Sequence, residues 1–354
     1  MSGTSTSRGP GPSRRKPAMG WRWWGLRVCR ATLGIGLLLV SEGLIGSGAG
    51  AGQRAKAVLI GALTESWGPT PAIVGLRDGL VELGYRENEH FTIGVRFTQG
   101  DVTELAAAAR QLVERGADIL VTGGGGVSEA KAIQMATDRI PIVFMGGSDP
   151  LGTGLVRSLA RPGGNITGVA DFDVELAPKR LEIFRELIPG LKRVLFPYNV
   201  ADPHVVSQLD GYREAARRLG VTLLERPVRT QEEARAILAG VQRGHVDGIL
   251  SPRYLSLNIP GFIIETGARQ AIPTMLHTSF HVERGGLASY AANPYQVGRH
   301  AARLVDKIIK GAKPADVPVE QVTRFELVIN LKTAKSLGLT VPPLLLLRAD
   351  RLIE

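Results

Sequence analysis

Two α/β lobes, each wound about a parallel sheet, are what the residue pattern of this chain predicts, and three observations predict them. Short apolar runs suited to strands buried on both faces alternate with longer segments whose apolar residues recur at helical spacing. The alternation is interrupted at a Gly- and Pro-rich stretch, Gly146 to Gly164, and then restarts with the same rhythm. Once a leader ending at residue 51 is set aside, about 300 residues remain, enough for two cores of ordinary size.

The elements follow in order. Lys56–Leu63 (KAVLIGAL) is too short for a helix and continuously apolar, hence a buried strand. In Pro71–Tyr85 the residues Ile73, Leu76, Leu80 and Leu83 recur on one helical face, and Gly84 is a natural C-cap. Strand Phe91–Phe97, helix Asp101–Arg115 with Asp101 as N-cap, strand Asp118–Val121, helix Val127–Thr137 and strand Pro141–Met145 complete four βα units. After the interruption come strand Asn165–Ala170, helix Leu176–Leu187, strand Arg193–Pro197, helix His204–Leu219, strand Thr222–Arg226 and helix Gln231–Gln242. Strand Gly248–Leu250, helix Ile259–Gln270 and strands Pro273–Leu276 and Leu287–Tyr290 continue the pattern. Helix Tyr295–Lys310 then returns to the first lobe, a turn spans Gly311 to Pro318, and strand Arg324–Asn330 leads into helix Leu331–Leu337. The expected division is a leader at 1–51, a first lobe of 52–165 with 291–315, and a second lobe of 166–290 with 316–354.

The leader has the grammar of a cleavable export signal. Seven basic residues from Arg8 to Arg30 precede the apolar run Ala31–Ile45, and small residues follow to Gly52. That run is shorter than the ~20 residues a membrane-spanning helix needs and contains Glu42, so cleavage after Ala51, or alternatively Ala49, is expected rather than anchoring. Ser13-Arg14-Arg15 is similar to a twin-arginine signal, but Pro17 and Ala18 occupy the place of its apolar pair, which favours Sec export. Cys29, the chain's single cysteine, precedes the apolar run instead of following it, so lipid attachment is not expected and a periplasmic protein is.

Removing the leader changes the electrostatics. Residues 1–51 carry seven Lys/Arg and one acid, and the remaining 303 hold 36 basic against 32 acidic residues, a formal +4 in place of +10. Nucleic acid is therefore not an expected partner: basic clusters interleaved with aromatics are missing, and Arg213, Arg217 and Arg218 share their helix with Glu214. Without cysteine the exported chain has no disulfide, thiolate nucleophile or cysteine metal ligand.

Parallel α/β sheets bind ligands beyond the carboxyl ends of their strands. The first strand leads into Thr64, Ser66 and Trp67. The third leads into Gly123 to Gly126 just ahead of a helix, with Ser128 inside it; Gly124 and Gly125 would expose N–H groups to an anion, or else simply make a tight turn. The fourth leads into Ser148 and Asp149, the latter a possible seat for an ammonium or a cap for the next turn. In the second lobe the matching ends carry Asn199, Arg253 with Tyr254, His277, and Tyr290 with Asn293. The expected contacts are drawn from these, with Asn199, Tyr254, Tyr290 and Asn293 facing the glycine-rich turn across a small-molecule cleft.

Signatures of catalysis are missing, so no catalytic residue, cofactor or metal is expected. The first strand opens into Gly61-Ala62-Leu63-Thr64-Glu65-Ser66 instead of G-x-G-x-x-G, and no phosphate-binding G-x-x-x-x-G-K-[ST] occurs. Gly146-Gly147-Ser148-Asp149-Pro150 approaches a nucleophile elbow but has proline in the second glycine's place. His277 and His281 are four apart without a third metal ligand.

At Arg161-Pro162-Gly163-Gly164-Asn165-Ile166-Thr167-Gly168 the sequence closely resembles the ABC transporter substrate-binding proteins related to tryptophan/tyrosine-type periplasmic components. The resemblance runs from about Ala57 to Glu354. It includes Gly75-Leu76-Arg77-Asp78-Gly79-Leu80, the run from Gly154 to Ala160, and Phe325-Glu326-Leu327-Val328-Ile329-Asn330. It implies a type I periplasmic-binding fold, two Rossmann-like lobes with parallel doubly wound sheets joined by a hinge. It also implies a permease and an ATPase as partners, a monomeric receptor, and a cleft among Ser66, the glycine turn, Ser148–Asp149, Asp171, Asn199 and Tyr290. Trp67 and Ala291-Ala292-Asn293 depart from the family pattern. The implied function is binding of a small polar or amphipathic solute, such as an amino acid, for import. An extracytoplasmic sensor is the alternative, and a secreted hydrolase using Ser148 or Asp149 a further one that the broken elbow opposes.

Overall fold

The first strand, Val58–Thr64 (β1), forms where the sequence is continuously apolar, and its last five residues are all buried. Helix Pro71–Glu82 (α1) follows. Thr70 caps it by accepting the Ile73 N–H, Pro71 occupies the first turn where no N–H is needed, and Gly84 takes a left-handed φ of 93° just past the end. The structure, a computed structural model, describes residues 56–124, 126–253 and 256–354, and their side chains except those at 203, 204, 207 and 256. The expected leader, Cys29 and the cleavage after Ala51 lie outside the described residues.

The same alternation builds Phe91–Phe97 (β2), Leu105–Glu114 (α2), Ile119–Thr122 (β3), Val127–Ala136 (α3), Ile142–Gly147 (β4) and Ile166–Ala170 (β5). It continues through Ala177–Leu187 (α4), Arg193–Asn199 (β6), Pro203–Leu219 (α5), Thr222–Val228 (β7), Gln231–Ala239 (α6) and Gly248–Leu250 (β8). Next come Ile259–Gln270 (α7), Thr274–Leu276 (β9), Ser279–Val282 (α8), Ala288–Ala292 (β10) and Pro294–Ile309 (α9). The chain closes with Glu320–Gln321 (β11), Phe325–Asn330 (β12), Leu331–Ser336 (α10), Pro343–Arg348 (α11) and Arg351–Ile353 (β13).

Two sheets result, ordered β11-β5-β4-β3-β1-β2 and β13-β12-β10-β9-β8-β6-β7. Every pairing is parallel except β10 with β12. That exception has a topological cause. β12 follows β11 after three residues and enters the second sheet at the end where β10 leaves it, Phe325 opposite Ala292, so the two must run in opposite directions. Each sheet lies between two apolar layers. The first packs α1 and α9 on one face and α2 and α3 on the other; the second packs α4 and α5 opposite α6 and α7.

Strand pairing corrects the expected division at 165/166 and at 315/316. β5 was placed with the second lobe, yet it pairs with β4 over Ile142–Gly147, and β11 pairs with β5, so both belong to the first sheet. Thr167 Oγ1 fastens this edge by donating to the Val317 C=O at 2.8 Å. The boundary at 290/291 also moves, because β10 continues to Ala292. Three segments therefore cross between the sheets: 171–176, residue 293 and 322–324. Beyond the second crossing, α9 returns to the first lobe, as the sequence suggests, and lies on α1. A Cβ on Gly75 would run into Tyr295 O and one on Gly298 into Ala72 O, so glycine is what lets these helices touch backbone to backbone.

Candidate ligand-binding cleft

The carboxyl ends of both sheets meet around a cavity of about 90 Å³. The first sheet contributes Thr64 from β1, Gly123 and Gly124 after β3, and Met145 and Gly146 from β4; the first turn of α1 adds Thr70 and Ala72. The second contributes Arg253 beyond β8, His277 and Thr278 beyond β9, Phe280 and His281 from α8, and Ala291 and Ala292 from β10. Among the described residues, two hydrogen bonds join the lobes. The Arg253 guanidinium donates from the second lobe to the Gly146 C=O of the first at 2.6 Å, and Leu257 N–H donates to the Gly100 C=O at 3.3 Å.

A buried charge network lies at the first crossing. Arg253 Nη2 donates to Asp171 Oδ2 at 2.5 Å, and its Nη1 lies 3.6 Å from Asp173. Asp173 in turn accepts from Arg180 at 2.5 Å and Gln208 at 2.9 Å. Arg180, with no exposed surface, also donates to the Tyr212 hydroxyl and to the Tyr290 C=O. Burial works against charge at Asp173, but Arg180 and Arg253 outweigh it and hold that carboxyl below its usual range. At Asp171 burial prevails over the pull of Arg253 and pushes the carboxyl up. Arg180 thus pins the first crossing, through Asp173, to the middle of β10.

The glycine turn works differently from the anion cradle expected there. Glu129, in the first turn of α3 and fully buried, accepts the N–H groups of Glu65 and Gly123, both at 2.9 Å. The chain's own carboxylate therefore takes the first N–H of the glycine turn from its place in the first turn of α3. Thr70 Oγ1 donates to the Gly123 C=O, tying the turn to α1. Glu65 is buried beside Glu129 and faces Asp202 of the other lobe; burial first, then these two acids, push its carboxyl well up.

Part of the second lobe's wall is aromatic. The His277 and His281 rings lie tilted at 53° with centroids 5.0 Å apart, and Phe280 packs edge-on against His281 at 5.3 Å. Burial lowers His277, reinforced by His281, Arg253 and Arg180, while burial and Arg284 lower His281 to about 3. Both rings are neutral near pH 7 and offer apolar faces.

Of the residues the sequence put forward, Thr64, Gly124 and Asp171 stand in the cavity wall. Ser66 and Ser148 are buried but outside it, Ser66 donating to the Gly68 C=O. Trp67 is nearly half exposed, its ring over Gly100. Ser128 sits in the first turn of α3, and Asp149 Oδ1 accepts the Gly152 N–H at 2.7 Å as a turn cap. Asn199 accepts the Ala201 N–H at 2.9 Å. Tyr290 offers its carbonyl to Arg180 and rests its ring near Phe325. Asn293 is the N-cap of α9, accepting from Tyr295 and Gln296 while its amide donates to Glu326, so its polar atoms are engaged within the fold. Gly125 and Tyr254 lie outside the described residues. Sequence reasoning placed Arg253 and His277 at strand ends without a reason to choose them, and α8, four residues long, was too short for any periodicity to reveal. Thr70 before Pro71 is a legible signal for the start of a helix.

The comparisons with known proteins agree with this arrangement. The family model described as ABC transporter substrate binding protein matches residues 60–353. A protein of Clostridioides difficile (strain R20291) named tyrosine-binding protein is 25% identical over 288 residues, 81% of this chain and 82% of its own length. A solved ABC domain from Streptococcus pneumonia in complex with L-Trp is 27% identical, covers 84% of this chain and 100% of its own, and superposes with a TM-score of 0.73. A conserved domain protein from Vibrio cholerae gives 28%, the same coverages and the same TM-score. Two hinged, parallel-dominated sheets of this kind are the type I periplasmic-binding fold, and the chain belongs to the ABC transporter substrate-binding protein family.

Proposed function

We propose that this chain is the extracytoplasmic solute-receiving subunit of an ABC import system, acting as a monomer, and that the cleft takes a small amphipathic solute with a polar end and an apolar body. The cavity itself carries this reading. A buried Asp171–Arg253 pair and the neutral His277 and His281 rings with Phe280 line the same cavity, so a solute meets charge and aromatic surface within one space. An amino acid fits that description, and the tyrosine and tryptophan named for two relatives support it. A solute touching both lobes favours the closed arrangement by its differential affinity for that state, which is what a permease would sense. The leader-like residues 1–51 support export.

Isothermal titration of the purified protein with amino acids, aromatic carboxylates, nucleosides and sugars tests the reading. One class is expected to bind with 1:1 stoichiometry. If no compound binds with Kd below about 1 mM, the proposal fails.

A further inference from the structure

We infer that closing the lobes takes up one proton, on Glu65, so that acid favours the closed state and the lobes part more readily as pH rises. This rests on the lobes moving about the three crossings, but not on which solute they enclose. Glu65 follows β1 in the first lobe and stands outside the cavity wall. Its N–H is taken by Glu129 at 2.9 Å and its C=O accepts from Gly100 at 2.7 Å, so backbone bonds fix its place. That place is the seam, because the Gly100 C=O accepts the Leu257 N–H of the second lobe. The Glu65 carboxyl is buried there, and Oε2 meets no hydrogen-bond donor among the described residues. An ionised carboxylate buried without a donor is costly, whereas the protonated form is neutral and costs far less.

The surrounding charges deepen that preference. Glu129 of α3 lies beside Glu65, and Asp202, just ahead of α5, faces it from the second lobe. The loop bonded to its carbonyl brings Thr98, Gln99 and Gly100, none of them charged. Among the described residues, no group acting on the carboxyl is a cation. When the second lobe swings away, Asp202 and Leu257 leave with it and water reaches the carboxyl. Glu65 then returns toward its ordinary value of 4.5 and gives its proton to solvent; closing draws one proton back from solvent onto a carboxyl oxygen. Because the closed value is the higher of the two, closure is strongest below the ordinary value. It weakens by up to about tenfold per pH unit as pH rises toward the closed value.

The Leu257 amide reports the closed state without any solute, since its partner lies in the other lobe. Its exchange is followed by NMR on the full chain from pH 5 to 8, each rate compared with the intrinsic rate at that pH. Protection at Leu257 should fall about tenfold or more in the natural protein and by less than about twofold in E65Q. E65A, which removes the carboxyl altogether, should be equally flat, so the failure of one variant to fold leaves the other. Protection at Leu120 and Ile249, whose N–H groups bond within their own lobes, should not follow pH in any of the three proteins. Level protection at Leu257 in the natural protein, a fall that persists in E65Q or E65A, or an equal fall at Leu120 and Ile249 would overturn the inference. A titration panel in which no solute binds would end the solute-receiving reading and leave this result standing.

Discussion

Replacing Arg180 by Met removes the pin between the first crossing and the middle of β10, and its cost can be worked from the contacts. Arg180 is fully buried and makes four donations, one to Asp173, one to the Tyr212 hydroxyl and two to the Tyr290 C=O. Methionine fills much of the volume, so the loss is mainly electrostatic: Asp173 stays buried with Gln208 and a more distant Arg253. Removing one partner of a buried pair costs about 3–5 kcal/mol. With ~2.1 cal/mol/K of unfolding entropy per residue over roughly 300 residues, that lowers Tm by about 5–8 °C at pH 7. The sign of the pH dependence follows from Asp173. Its folded carboxyl lies below the ordinary value of 3.8, so its pairing with Arg180 contributes stability above that pH and loses it as pH falls through the folded value. The deficit of Arg180→Met should therefore be largest at neutral pH and shrink toward pH 3. Adding Asp173→Asn removes the stranded charge and should recover at least half the loss. Differential scanning calorimetry from pH 3 to 7 on the three proteins measures all of this. A fall under 2 °C at pH 7, or no recovery in the double variant, would refute the reasoning.

Three further outcomes are expected. Gly298→Ala drives a methyl into the Ala72 carbonyl and should lower Tm by at least ~5 °C, from an overpacking cost of about 3 kcal/mol. Gly94→Ala, whose nearest neighbour would be the Leu59 side chain at 4.0 Å, should change it far less in the same melting experiment. His281, held near 3 against 6.5 unfolded, is neutral when folded and charges on unfolding; stability is lost as pH falls through 6.5. Its share is about 2.7 kcal/mol by pH 4.5, so His281→Phe should flatten urea-derived stability against pH by that amount. Glu129→Gln leaves one acceptor where two N–H groups now donate; amide exchange at Glu65 and Gly123 should accelerate at least tenfold, read by NMR, with exchange in β7 unchanged.

Much of the architecture was legible because it rests on local physics. The run ending at Thr64, the spacing of Leu76 and Leu80, and the cap at Asp101, which accepts the Thr103 N–H, all express preferences readable without the fold. Three short elements were not: β11 and β13 pair with a neighbouring edge that only the fold provides, and α8 follows directly on β9. The glycine turn shows the same division. That it precedes a helix with Glu129 in its first turn was readable. That its carboxylate would also reach the Glu65 N–H, 64 positions away, depends on β1 lying beside β3. Arg253 was beyond reach for a related reason. Its partners Gly146 and Asp171 are 107 and 82 residues distant, and only the closure of the lobes brings them together.

A co-crystal structure of the protein with the tightest ligand from the titration panel tests the central claim most directly. The account predicts a single solute enclosed among Asp171, Arg253, His277 and Phe280, touching both lobes. A ligand bound outside this cavity, or one that leaves Asp171, Arg253 and Phe280 untouched, would contradict it.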